Sequence, residues 1–145
     1  MSTLINARSY NVLLVEDDLA DAMLIEEALF ERGMARTIVR AEDGIAALDY
    51  LRDGVKRLPD LIILDLNMPR MNGRELLNVL KTDEDLKVIP VVVLTTSAAP
   101  DDVSGAYQHH ANAYVTKPVT LDEFSQAVRS IDAFYLETAT PLPRS

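Results

Sequence analysis

Five polar side chains that could together handle a phosphoryl group lie far apart in this sequence, each at the end of a short apolar run. They are Glu16, Asp17, Asp65, Thr95 and Lys117. Carboxylates are ligands that Mg²⁺ prefers, an aspartate can attack phosphorus, and a hydroxyl and an ammonium can each bind a phosphoryl oxygen. These residue types predict a site for a divalent cation and a phosphoryl group, provided that the fold brings them together.

Alternating apolar and amphipathic segments predict a fold that does so. The predicted strands are 10–15, 37–40, 61–64, 91–94 and 113–116, and the predicted helices are 19–32, 45–52, one after Gly73, 101–110, and one after Thr120. Strands that are apolar throughout indicate a parallel sheet covered by helices on both faces, so we predict an α/β three-layer sandwich. Ligands of such sheets bind beyond the carboxyl ends of the strands, where all five polar residues lie.

The three consecutive acids Glu16, Asp17 and Asp18 have a second interpretation, because acids also cap the start of a helix. Capping does not account for Asp65, which follows a different strand. Clustered carboxylates repel one another, and a bound metal is the simplest relief. Asp17 and Asp65 can supply the carboxylates for such a metal, and Glu16 can hold a coordinated water. Asp18 is interpreted as a cap or a solvent-facing residue.

The segment from Asp65 to Gly73 is predicted to be a firmly held loop. Pro69 disfavours helical backbone at Met68, and Gly73 permits a bend. The alternative is a plain surface turn, since Asn, Pro and Gly are all common in turns.

Two local features are predicted near the last helix. The Lys117–Pro118 bond is a candidate for the cis isomer, which would aim Lys117 into the cleft. Thr120 is predicted to be the N-cap, with Glu123 as its capping-box partner. The residues expected to face the core are Leu121, Phe124, Val128, Ile131 and Tyr135.

The 145-residue chain is 48% hydrophobic, carries a formal net charge of −9 and contains no cysteine. Its length is typical of one domain, and the absence of cysteine excludes disulfides and thiolate metal sites. Nucleic-acid binding rests on Lys and Arg contacts to phosphates, so the negative charge argues against it. The chain shows neither a signal peptide nor an apolar run of about 18 residues, and we expect a cytoplasmic protein without membrane contact.

Four ordered motifs resemble the response-regulator receiver domain of bacterial two-component systems. They are VLLVED at 12–17, LDLNMP at 64–69, VLTTS at 93–97 and YVTKP at 114–118. The resemblance covers residues 9–136, leaving 1–8 as a lead-in and 137–145 as a tail. It implies a flavodoxin-like (βα)5 fold with sheet order 2-1-3-4-5.

The resemblance also implies roles for the cleft residues. Asp65 would be the phosphoacceptor, and Asp17 and Asp65 would ligate Mg²⁺ together with the backbone carbonyl of Asn67. Glu16 would help through water, since it stands where many members carry the shorter Asp.

Three further roles concern signalling. Lys117 would pair with the phosphoryl group, Thr95 would follow that group after transfer, and Tyr114 would be an aromatic switch that turns inward as the threonine moves. The family often has small or apolar residues before the fifth strand, where this chain has His109 and His110. We interpret the two histidines as the exposed end of a helix.

We accordingly interpret the chain as a stand-alone response regulator that is phosphorylated on Asp65 by a sensor histidine kinase and then slowly hydrolyses the phosphate. It is not interpreted as an enzyme for a diffusing substrate, beyond weak autophosphatase activity. The segments 15–21, 94–98 and 134–139 resemble single-domain regulators of bacterial and cyanobacterial phytochromes. This finer resemblance implies a phytochrome as the kinase.

An oligomer is expected, because apolar residues extend beyond the core-facing positions of the last helix. They are Ala127, Phe134, Leu136 and Leu142. Large apolar patches often mark interfaces, so we predict a symmetric homodimer through the last strand, the last helix and the tail.

Two other functions are alternatives to this interpretation. An aspartyl-phosphate phosphatase or another Mg²⁺-dependent hydrolase of α/β fold would typically carry a general base two residues after the nucleophile, where this chain has Asn67. A flavodoxin-like redox module would need a phosphate-binding loop after the first strand, where this chain presents acids.

Overall fold

One five-stranded parallel sheet forms the centre of the molecule, and the computed structural model describes residues 10–30, 36–54, 57–138 and 140. The strands are β1 Tyr10–Val15, β2 Arg36–Ala41, β3 Leu61–Leu64, β4 Val91–Thr95 and β5 Ala113–Thr116. Their order is β2-β1-β3-β4-β5, with every neighbouring pair parallel. The predicted fold class and sheet order are confirmed.

Helices in the described residues connect consecutive strands and cover both faces of the sheet. They are α1 Leu19–Phe30, α2 Gly44–Leu51, α3 Gly73–Thr82, α4 Pro100–Gln108 and α5 Leu121–Asp132, which continues into a π-helical segment, Ala133–Thr138. Helices α2, α3 and α4 pack on one face, and α1 and α5 on the other. The right-handed crossover that parallel strands require places successive helices in this way.

The central strands explain why the sheet is a rigid platform for the site. In β1, Leu13 and Val15 enter one apolar cluster, and Val12 and Leu14 enter the other. All four side chains are buried. Burying one such side chain contributes roughly 1.5–3 kcal/mol, so the strand is anchored on both faces up to the residue before the acids.

The predicted apolar face of α1 is wrong in part. Helical spacing in the sequence predicts one apolar face formed by Leu19, Met23 and Phe30 with Ala22 and Leu29, but the first three are exposed. The buried residues of the helix are Ala22, Ile25, Ala28 and Leu29. The proposed helix end near Arg32 and the stop at Gly33 lie outside the described residues.

An ion pair in the first turn of α1 helps to explain which side of the helix faces the sheet. The Asp21 carboxylate lies 2.8 Å from the Lys117 ammonium at the end of β5. At 100° per residue Asp21 lies on the same side of the helix as Ala28 and Ile25. The ion pair and the small alanines turn that side towards the sheet.

The end of α5 also departs from the predicted pattern. Leu121 is exposed and Leu136 is buried, whereas the sequence predicted the opposite for both. Phe124, Val128 and Ile131 are buried as predicted. The π-helical segment has an i to i+5 spacing, which carries Leu136 to the side occupied by Ile131.

The start of α5 agrees with the predicted N-cap, and α4 ends before the predicted residue. The Thr120 hydroxyl accepts a hydrogen bond from the Glu123 N–H, which confirms the predicted N-cap of α5. Helix α4 is shorter than the predicted 101–110 segment, and His109 and His110 are exposed at its end, as interpreted. No helix within the described ranges combines the length and apolar character needed to cross a membrane.

Candidate functional site

Three carboxylates meet at the carboxyl edge of the sheet. The Asp65 N–H donates to the Val15 carbonyl at 3.0 Å, so the β1–β3 pairing extends to the acids themselves. One oxygen from each of Glu16, Asp17 and Asp65 lies within 4.8 Å of the others. Glu16 and Asp65 are buried, while Asp17 is exposed. The predicted juxtaposition of these acids is therefore present.

The spacing and chemistry of this cluster suit a hard cation. Oxygens bound directly to one Mg²⁺ lie at most about 4.2 Å apart, because each Mg–O distance is about 2.1 Å. A cluster that spans up to 4.8 Å fits two direct carboxylate ligands and a third carboxylate acting through water. The all-oxygen donor set also disfavours softer metals.

Lys117 enters the same cluster from the end of β5. Its ammonium lies 2.7 Å from Glu16 and 3.7 Å from Asp65. The Lys117 N–H donates to the Thr95 carbonyl at 2.7 Å, which joins the ends of β4 and β5. The cis prediction for the Lys117–Pro118 bond is wrong, since the described peptide bonds are all trans. Lys117 points inward without that isomer.

Sequence reasoning missed Asp21, the second partner of Lys117 at 2.8 Å. Asp21 lies in the first turn of α1, four residues after Asp17. That spacing places the two acids on one side of a helix start, and it was the available signal.

Burial sets the protonation of this buried ion pair. Desolvation raises the pKa of Glu16 to about 7, although the hydrogen bond from Lys117 opposes the rise. Burial lowers the pKa of Lys117, but the hydrogen bonds to Asp21 and Glu16 outweigh it and raise the pKa overall. Lys117 therefore remains a cation, and a divalent ion in the cluster would favour ionised Glu16.

Thr95 is the last residue of β4, where its backbone carbonyl accepts the hydrogen bond from Lys117. It is fully buried, and its hydroxyl is the only buried side-chain N or O atom within the described ranges that has no hydrogen-bond partner. An unpaired buried hydroxyl costs about 1–3 kcal/mol. Such an atom is suited to an oxygen-bearing group that enters the cleft later.

The loop after Asp65 is firmly held, as predicted. The Asn67 N–H donates to the Asp65 carboxylate at 3.3 Å, and the Gly73 N–H donates to the Leu66 carbonyl at 3.0 Å. A Cβ atom at Gly73 would lie 2.1 Å from the Asp65 carbonyl oxygen. Only glycine allows α3 to begin this close to the strand end.

An open cleft borders the acids. Its volume is about 380 Å³, and its lining residues are Asp17, Leu66, Asn67, Met68, Pro69, Asn72 and Arg74. A group bound in the cleft would therefore lie beside Asp17 of the acidic cluster and beside Asn67, two residues after Asp65.

Arg40 is another residue that the sequence did not reveal. From β2 it donates to the backbone carbonyls of Glu16 and Asp17, both at 3.0 Å. These bonds fix the backbone that presents the two acids. The signal was its position near the end of a strand that neighbours β1 in the predicted sheet order.

Tyr114 lies on β5 and contacts the loop after Thr95 rather than the acids. Its hydroxyl donates to the Ser97 carbonyl at 2.7 Å, and burial raises its pKa. The Ser97 hydroxyl in turn donates to Asp102, which also accepts two bonds from Arg74. Tyr114 is thus tied to the segment that would respond to a movement of Thr95.

Comparison with known proteins gives consistent matches. A family model described as "Response regulator receiver domain" matches residues 12–129. The chain is 44% identical over 128 residues to a protein of Methanothrix harundinacea named "Probable methanogenesis regulatory protein FilR2", covering 86% of this chain and 83% of that protein. It is 43% identical over 133 residues to response regulator Rcp1 of Synechocystis, covering 89% of this chain and 90% of that protein.

Solved structures are also similar. The crystal structure of the phosphorylated cyanobacterial phytochrome response regulator RcpA has a TM-score of 0.91 at 43% identity, covering 94% of this chain and 100% of that chain. The Mn²⁺-bound form of Rcp1 has a TM-score of 0.88 at 41% identity, covering 92% of this chain and 99% of that chain. Each of these two structures covers more than nine-tenths of this chain.

Proposed function

The chain belongs to the response-regulator receiver domain family, and from this premise we propose that it accepts a phosphoryl group from a sensor histidine kinase onto Asp65 in a Mg²⁺-dependent reaction. The observation that carries the proposal is the meeting of Glu16, Asp17 and Asp65 with the Lys117 ammonium. No single element supplies this group, because its members come from three different strand ends.

Asp17, Asp65 and the backbone carbonyl of Asn67 would hold the metal in this proposal, and Glu16 would contribute through water. The oxygen donor set and its span support the assignment, as does the Mn²⁺-bound form of the relative Rcp1. When bound, Mg²⁺ neutralises the incoming phosphoryl oxygens.

The residues of the chain then orient and stabilise the transfer. A carboxylate oxygen of Asp65 bonds to phosphorus as the bond from phosphorus to the donor histidine nitrogen breaks. The departing imidazole keeps the electron pair and takes up a proton. Lys117 pairs with one phosphoryl oxygen, which requires its ammonium to shift from Glu16 towards Asp65. Phosphoryl transfer depends chiefly on such positioning and charge neutralisation.

The signal leaves the cleft through Thr95 and Tyr114. The unpaired Thr95 hydroxyl moves to a phosphoryl oxygen, and the loop that follows it moves as well. Tyr114 is bonded to that loop at Ser97, so its position changes with the loop. The surface formed by α4 and β5 thereby has two states whose populations depend on phosphorylation.

A phytochrome is the kinase that we propose as phosphodonor. The support is the similarity to RcpA, whose structure is described as that of a phytochrome response regulator. The hydrolase alternative is weaker, because Asn67 occupies the position of the general base and an amide cannot accept a proton there.

Incubation with acetyl phosphate and Mg²⁺ tests the central proposal. Wild-type protein should gain one acid-labile phosphate, mapped to Asp65 by mass spectrometry after borohydride trapping, and chelation of the metal should abolish the gain. Asp65→Asn should not be modified. Asp85→Asn is the matched control, because it removes an exposed carboxylate near the opposite edge of the sheet. Equal labelling of Asp65→Asn and wild-type protein would falsify the proposal.

We also propose a symmetric homodimer through β5, α5 and the tail. Exposed apolar side chains near this surface are Val119, Leu121 and Phe134. Leu136 does not contribute, because it is buried, and Leu142 lies outside the described residues. Sedimentation at micromolar concentration should show a dimer in at least one phosphorylation state, and a monomer in both states would contradict the hypothesis.

A further inference from the structure

An ion pair ties the loop after Asp65 to the start of α2, a corner of the fold that supplies none of the residues assigned above. Arg70 donates from Nη2 to one Asp43 carboxylate oxygen at 2.9 Å and from Nε to the other. The Asp43 side chain is only 6% exposed. Two parallel bonds from a planar guanidinium fix direction as well as distance.

The backbone at this point is fastened as well. Arg70 has a φ of 57°, in the left-handed region that side chains other than glycine rarely adopt. The next residue, Met71, accepts a hydrogen bond at its carbonyl from the Gly44 N–H at 2.9 Å. Two consecutive loop residues are therefore bonded to Asp43 and Gly44, and these bonds maintain a disfavoured conformation.

We propose that the Arg70–Asp43 clasp positions the Asn67 carbonyl and the Asp65 carboxylate for the metal, so that Arg70 is a positioning residue of the site. The inference rests on the proposed function. Asn67 lies three residues before Arg70, across the restricted segment Met68–Pro69, so a displacement at Arg70 is transmitted to the carbonyl.

A second tie reaches the same corner from the other acidic loop. Arg40, near the end of β2, holds the carbonyls of Glu16 and Asp17, while Arg70 binds the Asp43 carboxylate two residues after β2. The two loops that carry the proposed metal ligands are therefore both hydrogen-bonded to the same part of the chain, the end of β2 and the residues just after it. The distance between Asp17 and Asp65 depends on both ties.

Two simpler roles must be separated from this one. Asp43 accepts from the Ala46 N–H at 2.9 Å and caps α2, so its loss would disturb the helix as well as the clasp. Arg70 makes no such cap, and it is the better residue to change. Arg70 could also merely tolerate the left-handed backbone, a function that glycine would perform at least as well.

The experiment measures the affinity of the unphosphorylated chain for Mg²⁺ alone by isothermal titration calorimetry. The variants are Arg70→Gln, which removes the charge and the fork, and Arg70→Gly, which relaxes the backbone as well. The matched control is Arg52→Gln. It removes the same charge from an exposed arginine at the end of α2, on the opposite edge of the sheet, whose guanidinium lies 3.7 Å from the Asp83 carboxylate.

The sign of the change separates positioning from electrostatics. Removing a cation near an acidic cleft, and freeing Asp43, would by charge alone make Mg²⁺ bind more tightly. Loss of residues that orient metal ligands weakens binding by about 10–100-fold, so we expect about tenfold weaker binding in both Arg70 variants and little change in Arg52→Gln.

Each outcome decides the inference. Unchanged or tighter binding in Arg70→Gln overturns it, while leaving the proposed function intact if wild-type protein still binds Mg²⁺. Restored affinity in Arg70→Gly also overturns it, because the backbone alone would then be responsible. A wild-type chain that binds no Mg²⁺ overturns the proposed function and this inference together. Circular dichroism of each variant at the titration temperature confirms that a loss of affinity reflects folded protein.

Discussion

At the scale of single residues, one buried and unpaired side-chain atom lowers the stability of the unphosphorylated protein. The Thr95 hydroxyl is buried and has no partner, whereas the neighbouring buried Lys117 and Glu16 satisfy each other. Buried polar groups are normally paired, and an exception in a folded protein needs a reason. A phosphoryl oxygen on Asp65 would supply the partner and give the phosphorylated state an interaction that the resting state lacks.

Replacing Thr95 with valine should therefore stabilise the unphosphorylated protein. Valine has nearly the same shape without the hydroxyl, so removal of the unpaired group should raise the free energy of unfolding by about 1 kcal/mol. Urea denaturation without metal measures this change. Thr116→Val is the control, because Thr116 is an exposed strand residue and its free energy of unfolding should change little. A less stable Thr95→Val would show that the hydroxyl is satisfied in solution.

At the scale of elements, the start of α3 determines where the phosphoacceptor lies. Asn72 caps the helix with Glu75 in a capping box, and Gly73 rests against the backbone of Asp65 and Leu66. The helix and the strand end are consequently packed backbone to backbone. A change at Gly73 should affect both the fold and the site.

Alanine at Gly73 tests this packing. Its Cβ would meet the Asp65 carbonyl oxygen at 2.1 Å and the Leu66 Cα at 2.6 Å, and neither backbone atom can rotate away. Overpacking of this kind costs about 1–3 kcal/mol, so we expect a loss of about 2 kcal/mol in stability and a lower rate of phosphorylation. Thermal and urea unfolding measure the first effect, and acetyl phosphate labelling measures the second.

Gly105→Ala is the matched control for that substitution. Gly105 lies inside α4, and a Cβ there would meet nothing within 4 Å. Alanine in a helix interior should stabilise the protein by about 0.5–1 kcal/mol. Similar changes in stability for the two variants would mean that the close approach at Gly73 is not what makes glycine necessary.

The elements also show what the sequence could predict. The strands were recognisable because β3 is apolar at every position and β1 and β4 contain one polar residue each, Asn11 and Thr95, so these strands must be buried on both faces. The rotation of α1 was not predictable, since Leu19 and Met23 are as apolar as the buried Ile25. The contact between Asp21 and Lys117, separated by 96 residues in sequence, acts with the small alanines to turn the other side towards the sheet.

The same distinction applies to the site. The acids at strand ends were predictable because parallel strands bring their carboxyl ends to one edge. Arg40 and Arg70 were not, because each acts through a partner that depends on the path of a loop. The left-handed backbone at Arg70 has no sequence signal, since arginine is not a residue that favours it.

At the scale of the whole molecule, the acidic cleft couples metal binding to stability and pH. The chain carries a net charge of −9, and its cleft gathers three of the carboxylates. Burial raises the pKa of Glu16 from its ordinary value of 4.5 to about 7. Because the pKa is higher in the folded state, the contribution of Glu16 to stability is complete below pH 4.5 and is lost as the pH rises through about 7.

A bound cation should offset that loss, because it favours the ionised carboxylate. The gain in unfolding free energy on adding Mg²⁺ should therefore be small near pH 6 and larger near pH 8, reaching about 2.7 kcal/mol at roughly 100 times the dissociation constant. Urea denaturation at both pH values, with Mg²⁺ and with a chelator, measures the difference. Asp17→Asn should abolish the gain, and Glu16→Gln should make it nearly independent of pH. If wild-type protein shows the same gain at both pH values, protonation of Glu16 does not compete with the metal, and the buried Glu16–Lys117 pair retains its charges throughout this range.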